Sequence, residues 1–242
     1  MGPRTYRNLV LGPFKASRVT VQETDLAIYA QSPLAAEAKE AVMVQRGYVE
    51  NYIRSHPGFL HALDPWPEDR FAPPIVRRMI DAGQKAGVGP MAAVAGAVAE
   101  AIGQDLLART AEIIIENGGD IFISTDRELT VGIYAGQSPL SLKIGLKLPS
   151  RPGPRALCTS SGTVGHSLSF GRADAVCVLG ATCALADATA TAVANRVQSA
   201  KDIQAAIQWG RRIRGIEGLL VIVGDKLGAW GQVNLVPVSL KR

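Results

Sequence analysis

The chain has 242 residues, enough for one large domain with a substantial core; 47% of them are hydrophobic and only 5% aromatic. A formal charge of +5 and a pI near 9.3 make it mildly basic, and with no basic run interleaved with aromatics nucleic acid is not an expected partner. Three cysteines are too few and too odd for a disulfide framework, and no stretch reads as a secretion signal or a membrane span, so a soluble cytoplasmic protein without membrane contact is expected.

In chain order, "YRNLVLG", "SRVTVQ" and "TDLAIYA" read as strands, the last from its alternation of apolar and polar residues. Leu34, Ala38, Ala41, Val42 and Val49 recur at helical spacing and predict a helix over 33–55. Pro-rich "DPWPEDRFAPP" breaks the chain before a helix over 75–85, and Pro90 opens a third helix reaching about residue 109. "AEIIIE" and "DIFIST" flank Asn117-Gly118-Gly119, a hairpin signal because glycine accepts the positive φ of tight turns. "LTVGIYA", "LSLKIGLKL" and "DAVCVLG" follow as strands, then helices over 183–197 and 201–212, then strands "LLVIVG" and "QVNLVPVSL". Strands and helices mix without strict βαβ alternation, which predicts a single α+β domain over 1–242 with a mixed, largely antiparallel sheet.

Three stretches carry the chemistry. "GVGPMA", residues 87–92, fits a dinucleotide fingerprint in letters only, because it follows a helix where a strand is required. Asp187 and Thr191 lie four residues apart on one helix face and offer a carboxylate and a hydroxyl, donors suited to a hard cation such as Mg²⁺. Between Pro-rich "PSRPGPR" and a strand lies "ALCTSSGTVGHSLSFGRADAV", read as a polar loop; Cys158-Thr159-Ser160-Ser161-Gly162 is a reactive site, an anion cradle or a tight turn. Cys158 and His166 are its candidate catalytic groups, and Ser160, Ser161 and Thr163 its candidate donors to phosphate. Cys183, at a helix start, is placed where the dipole lowers a thiol pKa, whereas Cys177 reads as inert core. Gly118, Gly119 and Asp120 are either a plain hairpin turn or a binding loop held by two strands.

"ENGGDIFI", then "CTSSG", then "LADATATAV" stand in an order that resembles the ApbE superfamily of flavin transferases. Gly118-Gly119-Asp120-Ile121 is similar to that family's Gly-Gly-Asp-Ile turn, Thr159-Ser160-Ser161-Gly162 to its Thr-Ser-Gly segment, and residues 186–192 to its Ala-Asp-Ala helix. "AGAVAE" is similar to its Lys-Gly-Tyr-Ala-Val-Asp helix, with Gly96 kept and Glu100 in the acidic place. The wider match, including "ETDLAI" and "VGPMAAVAGAVAE", resembles a short uncharacterised subfamily. The resemblance implies an ApbE-like α+β fold, Mg²⁺ held by Asp187, Thr191 and a backbone carbonyl near Val98, and a small-molecule ligand such as FAD or another nucleotide. It implies transferase chemistry if the chain is an enzyme. The family's His-Ile-Ile-Asp-Pro segment is missing, which leaves His166 as the only imidazole between the second and third motifs. Members of the short subfamily are associated with sulfide assimilation toward homocysteine, which would cast Cys158 as a persulfide carrier; a third expectation is a non-catalytic cofactor binder. The Ala-rich helix face suits close packing inside the fold or across a homodimer.

Overall fold

The computed structural model describes residues 14–162 and 170–238; "YRNLVLG", Thr163 and His166 lie outside them. The elements run β1 (Lys15–Val21), β2 (Thr24–Ala30), α1 (Ala35–Ser55), α2 (Pro74–Ala86), α3 (Val94–Leu106), β3 (Ile113–Asn117), β4 (Asp120–Ser124), β5 (Leu129–Gly132) and β6 (Ile144–Leu148). They continue with β7 (Arg155–Ser160), β8 (Ala175–Gly180), α4 (Cys183–Ala194), α5 (Ile203–Gly210), β9 (Ile216–Val223), β10 (Lys226–Gly231) and β11 (Leu235–Pro237).

Eight strands form one sheet in the order β1-β2-β3-β4-β7-β8-β9-β10, and β11-β6-β5 form a second. Every neighbouring pair is antiparallel. The large sheet is the middle of three layers. Leu26, Ile28, Ile113, Ile115, Phe122, Cys158, Val178 and Leu219 face the helices. Their chain neighbours Ala27, Ile114, Ile123, Leu157, Cys177, Leu179 and Leu220 face the small sheet with Leu129, Leu146 and Leu148. Burial on both faces explains why "IIIE", "AVCVLG" and "LLVIV" are unbroken apolar runs, since successive side chains enter opposite cores.

The helix at the centre of the helical layer is α4. Every residue of it is buried except Asp187, as expected for a helix that is apolar all round. Small side chains let it sit close to its neighbours: a Cβ added to Gly96 of α3 would lie 2.4 Å from the carbonyl oxygen of Cys183. No single helix among the described residues is long and apolar enough to cross a membrane.

Three expectations are corrected here. Residues 155–160 are not loop but strand β7, paired with both β4 and β8. A further strand, β10, follows "LLVIVG" and forms an edge of the large sheet. The expected third helix is also shorter and begins as a 3₁₀ turn over Pro90–Ala93.

Candidate functional site

Asn117 and Asp120 are paired residues at the ends of β3 and β4, joined by Gly118 and Gly119 at φ +69° and +111°. Two positive φ angles in a two-residue link are what a twisted hairpin needs, and glycine meets them without strain. The turn is also tied to its surroundings. The Gly119 amide donates to Glu116 Oε1 at 2.8 Å, and Asn117 Nδ2 donates to the Ala95 carbonyl at 3.0 Å. This second bond holds the hairpin against the first turn of α3.

The starts of α3 and α4 are satisfied by each other's carboxylates. Gly96 N donates to Asp187 Oδ2 at 2.9 Å, while Glu100 Oε2 accepts from Cys183 N at 2.7 Å and Ala184 N at 3.4 Å. Amides in a first helical turn have no partner within their own helix, and a carboxylate there also meets the positive end of the helix dipole. Asp187 is therefore fixed in place from two elements before any ligand is considered.

Asp120 is 5% exposed and lies next to this arrangement on the helix-facing side of β4. Its Oδ1 is buried with no partner among the described residues. Burial raises its pKa well above the carboxylate range, and the charge of Asp187 adds to the rise; hydrogen bonds from the Cys158 thiol and Thr159 amide oppose it. Asp187 is pushed up to about 7 by burial, against the pull of the Gly96 and Ala95 amides. The charges that raise Asp120 are negative, Asp187 and Glu116. Two neighbouring carboxylates, Asp120 buried with a bare oxygen and Asp187 half-buried, have no countercharge among the described residues and form a site that a cation would relieve.

The donor set limits which cation fits. Among the described residues no three His, Cys, Asp or Glu side chains converge at metal-binding distances, so soft or imidazole-rich coordination is not offered. Carboxylate oxygens, the buried Thr191 hydroxyl and backbone carbonyls suit a hard ion such as Mg²⁺, with water completing its shell. Val98 lies inside α3, where regular geometry commits its carbonyl to the amide four residues on, so a role as ligand requires that carbonyl to be shared.

The hydroxyl segment divides between the two faces of the sheet. Cys158 and Ser160 are on the helix side and buried, whereas Thr159 Oγ1 donates to Cys177 Sγ at 3.5 Å on the side of the small sheet. Thr159 thus turns its side chain away from Asp187, contrary to the reading of one continuous hydroxyl cradle. Ser161 is half-buried, and Gly162 donates its amide to the Ala173 carbonyl at 2.9 Å. A Cβ on Gly162 would meet the Gly171 carbonyl oxygen at 2.1 Å, so close chain approach accounts for that glycine.

The cysteines also differ from expectation. Cys158 is fully buried, its thiol donates to the Cys183 carbonyl at 3.4 Å, and burial followed by the Cys183 contact raises its pKa far above a free thiol's. Cys183 is raised too, chiefly by burial, so desolvation outweighs the helix dipole expected to lower it. Cys177 is pushed up to about 11. A cleft of about 200 Å³ lined by Glu100, Gln104, Phe122, Arg155, Thr182 and Cys183 opens at the start of α4, one helical turn from Asp187. Sequence reasoning missed the capping role of Glu100 and the Asn117 tie to α3, because their partners are 83 and 22 residues away.

Comparison with known proteins agrees with this architecture. A sequence profile described as AbpE bacteria matches residues 9–234. A UPF0280 protein of Methanosarcina acetivorans is 44% identical over 216 residues, covering 88% of this chain and 85% of that protein. A UPF0280 protein of Methanocaldococcus jannaschii is 39% identical over 231 residues, covering 93% and 94%. Among solved structures, the ApbE protein of Thermotoga maritima is similar with a TM-score of 0.55 at 13% identity, over 89% of this chain and 96% of that one. The flavinyl transferase ApbE of Pseudomonas stutzeri is similar with a TM-score of 0.53 at 11% identity, over 90% and 94%. These two likenesses show a shared fold.

Proposed function

This chain belongs to the AbpE bacteria family, and from that premise we propose that it is a Mg²⁺-dependent protein that binds a flavin or another nucleotide diphosphate, with transferase-type chemistry on the diphosphate. The observation that carries the reading is the bare, buried Oδ1 of Asp120 beside Asp187, with no positive partner among the described residues. Asp187, Thr191 and Asp120 would hold the ion, joined by a carbonyl of α3 near Val98. When bound, the ion would polarise the diphosphate and neutralise charge on the departing phosphate. Asp187 is positioned by the Gly96 amide, and the Asn117–Ala95 bond keeps the glycine turn against α3. The turn residues Gly118 and Gly119, with Ser160, Ser161, Gly162 and Thr163, are the proposed surroundings of the ligand, and His166 its proposed acid–base group.

The persulfide reading receives less support. A thiol that burial holds protonated is a poor nucleophile, and Cys158 lies under α4 on a paired strand. A non-catalytic binder shares the ion site and differs only in turnover. Differential scanning fluorimetry tests the proposal: Mg²⁺ should raise the melting temperature, and FAD should raise it further only when Mg²⁺ is present. Absence of any Mg²⁺ effect at millimolar concentration refutes the ion site. Mg²⁺-dependent FAD binding without release of AMP leaves binding and removes the transfer step.

A further inference from the structure

Helix α1 carries two stripes. Ala38, Val42, Val49 and Tyr52 face the core, as an amphipathic helix of this layer requires. The outer stripe is also apolar in its middle: Met43, Val44 and Tyr48 are 51%, 52% and 44% exposed. Gly47 lies among them, and a Cβ added there would meet nothing within 4 Å. Toward the ends the same stripe is charged or polar, with Glu37 and Glu40 before the apolar patch and Asn51 and Arg54 after it. Arg46 and Gln45 are held off this stripe, Arg46 by Glu23 and Glu50 and Gln45 by Asp105.

Residues 37, 40, 44, 47, 51 and 54 follow the alternating three- and four-residue spacing of a helix–helix seam. That seam is self-complementary when it is read against its own reverse. Laid antiparallel on itself about a point between Gln45 and Arg46, it sets Glu37 against the partner's Arg54, Glu40 against the partner's Asn51, Val44 against the partner's Gly47 and Met43 against the partner's Tyr48. Each pair occurs twice by symmetry. A parallel arrangement would instead stack Glu37 on the partner's Glu37 and Arg54 on the partner's Arg54, which like charges oppose. Gly47 leaves room for Val44 of the second copy to approach the backbone.

We infer that α1 is a homodimer interface in which two copies pack this helix antiparallel across a two-fold axis. The occupant is a second copy because acidic and basic ends of one seam match each other in reverse order, as an isologous contact demands. A single 21-residue helix is about 31 Å long, so the contact is at the small end of stable interfaces and the dimer is expected to dissociate in the micromolar range. The inference does not depend on the ion site.

Sedimentation equilibrium of the full chain across micromolar concentrations tests it. The wild type should follow a monomer–dimer equilibrium, and Val44→Glu should weaken it at least tenfold while leaving circular dichroism unchanged, and the melting temperature too at dilutions where both chains are monomeric. Glu37→Arg alone should also weaken the dimer, and Glu37→Arg combined with Arg54→Glu should restore it, because the swap returns opposite charges to each layer. Two results overturn the inference: a chain that stays monomeric throughout, which leaves the stripe to a different partner, or a dimer indifferent to Val44→Glu. Failure of the double swap to rescue overturns the antiparallel register.

Discussion

Replacing Asp120 by Asn separates an ion site from a merely buried acid. The change keeps the shape of the side chain and removes one of two neighbouring charges. Moving the Asp187 carboxyl from 3.8 to about 7 corresponds to roughly 4 kcal/mol between its two protonation states. Burial is the one cause that raises Asp187, and the like-charge repulsion falls on Asp120, so the substitution removes that repulsion from the pair, on the order of 1–2 kcal/mol. The sign follows from linkage. A carboxyl whose pKa is raised in the folded state binds more protons than in the unfolded chain between about pH 4 and 7, so ion-free stability falls as pH rises through that window. In chelator at pH 8, Asp120→Asn should therefore raise the urea midpoint, and the gain should vanish near pH 4. In Mg²⁺ the order should invert, with the wild type stabilised and the variant not. A variant less stable than wild type in chelator at pH 8, or one still stabilised by Mg²⁺ to the same extent, refutes the reasoning.

Because Mg²⁺ displaces protons from both Asp187 and Asp120, titration calorimetry should show affinity rising at least about tenfold per pH unit below about pH 7 and more slowly above it, until Asp120 has also lost its proton. Gly96→Ala places a Cβ 2.4 Å from the Cys183 oxygen and 2.9 Å from Asp187 Cβ; it should cost about 1–3 kcal/mol in urea unfolding and weaken Mg²⁺ binding as α3 and α4 are forced apart. Glu100→Ala strips the acceptor from the Cys183 and Ala184 amides and should cost a similar amount, about 1–3 kcal/mol, visible as a lower melting temperature with Mg²⁺ binding retained. Iodoacetamide should label Cys158 only as fast as the protein unfolds, read by mass spectrometry at rising urea; rapid labelling in the native state would revive the nucleophile reading.

The pattern of residues alone determines much of this protein. Unbroken apolar runs bounded by turns predict the strands buried on both faces, the spacing in 34–49 predicts α1, and Gly118-Gly119 predicts the β3–β4 hairpin, because each is dictated within a few residues of chain. The order of three short motifs is enough to indicate the fold family. Strand β7 escaped because the consecutive Cys158, Thr159 and Ser160 look like a loop until both neighbouring strands are in place. The β10 strand escaped because it is a mostly exposed edge with two glycines and little apolar alternation.

The site is a different matter. Sequence places Asp187 and Thr191 on one face of a helix, yet only the packing of α3 against α4 aims Gly96 N at Asp187 and brings Asp120 beside it. Reactivity is likewise decided by depth. Cys158 and Cys183 are ordinary letters in the chain, and it is the desolvation beneath α4 that raises both thiols. Local propensity acts over a turn or two, whereas the pKa of a buried acid or thiol depends on which distant elements exclude water from it, and that is fixed only when the layers close.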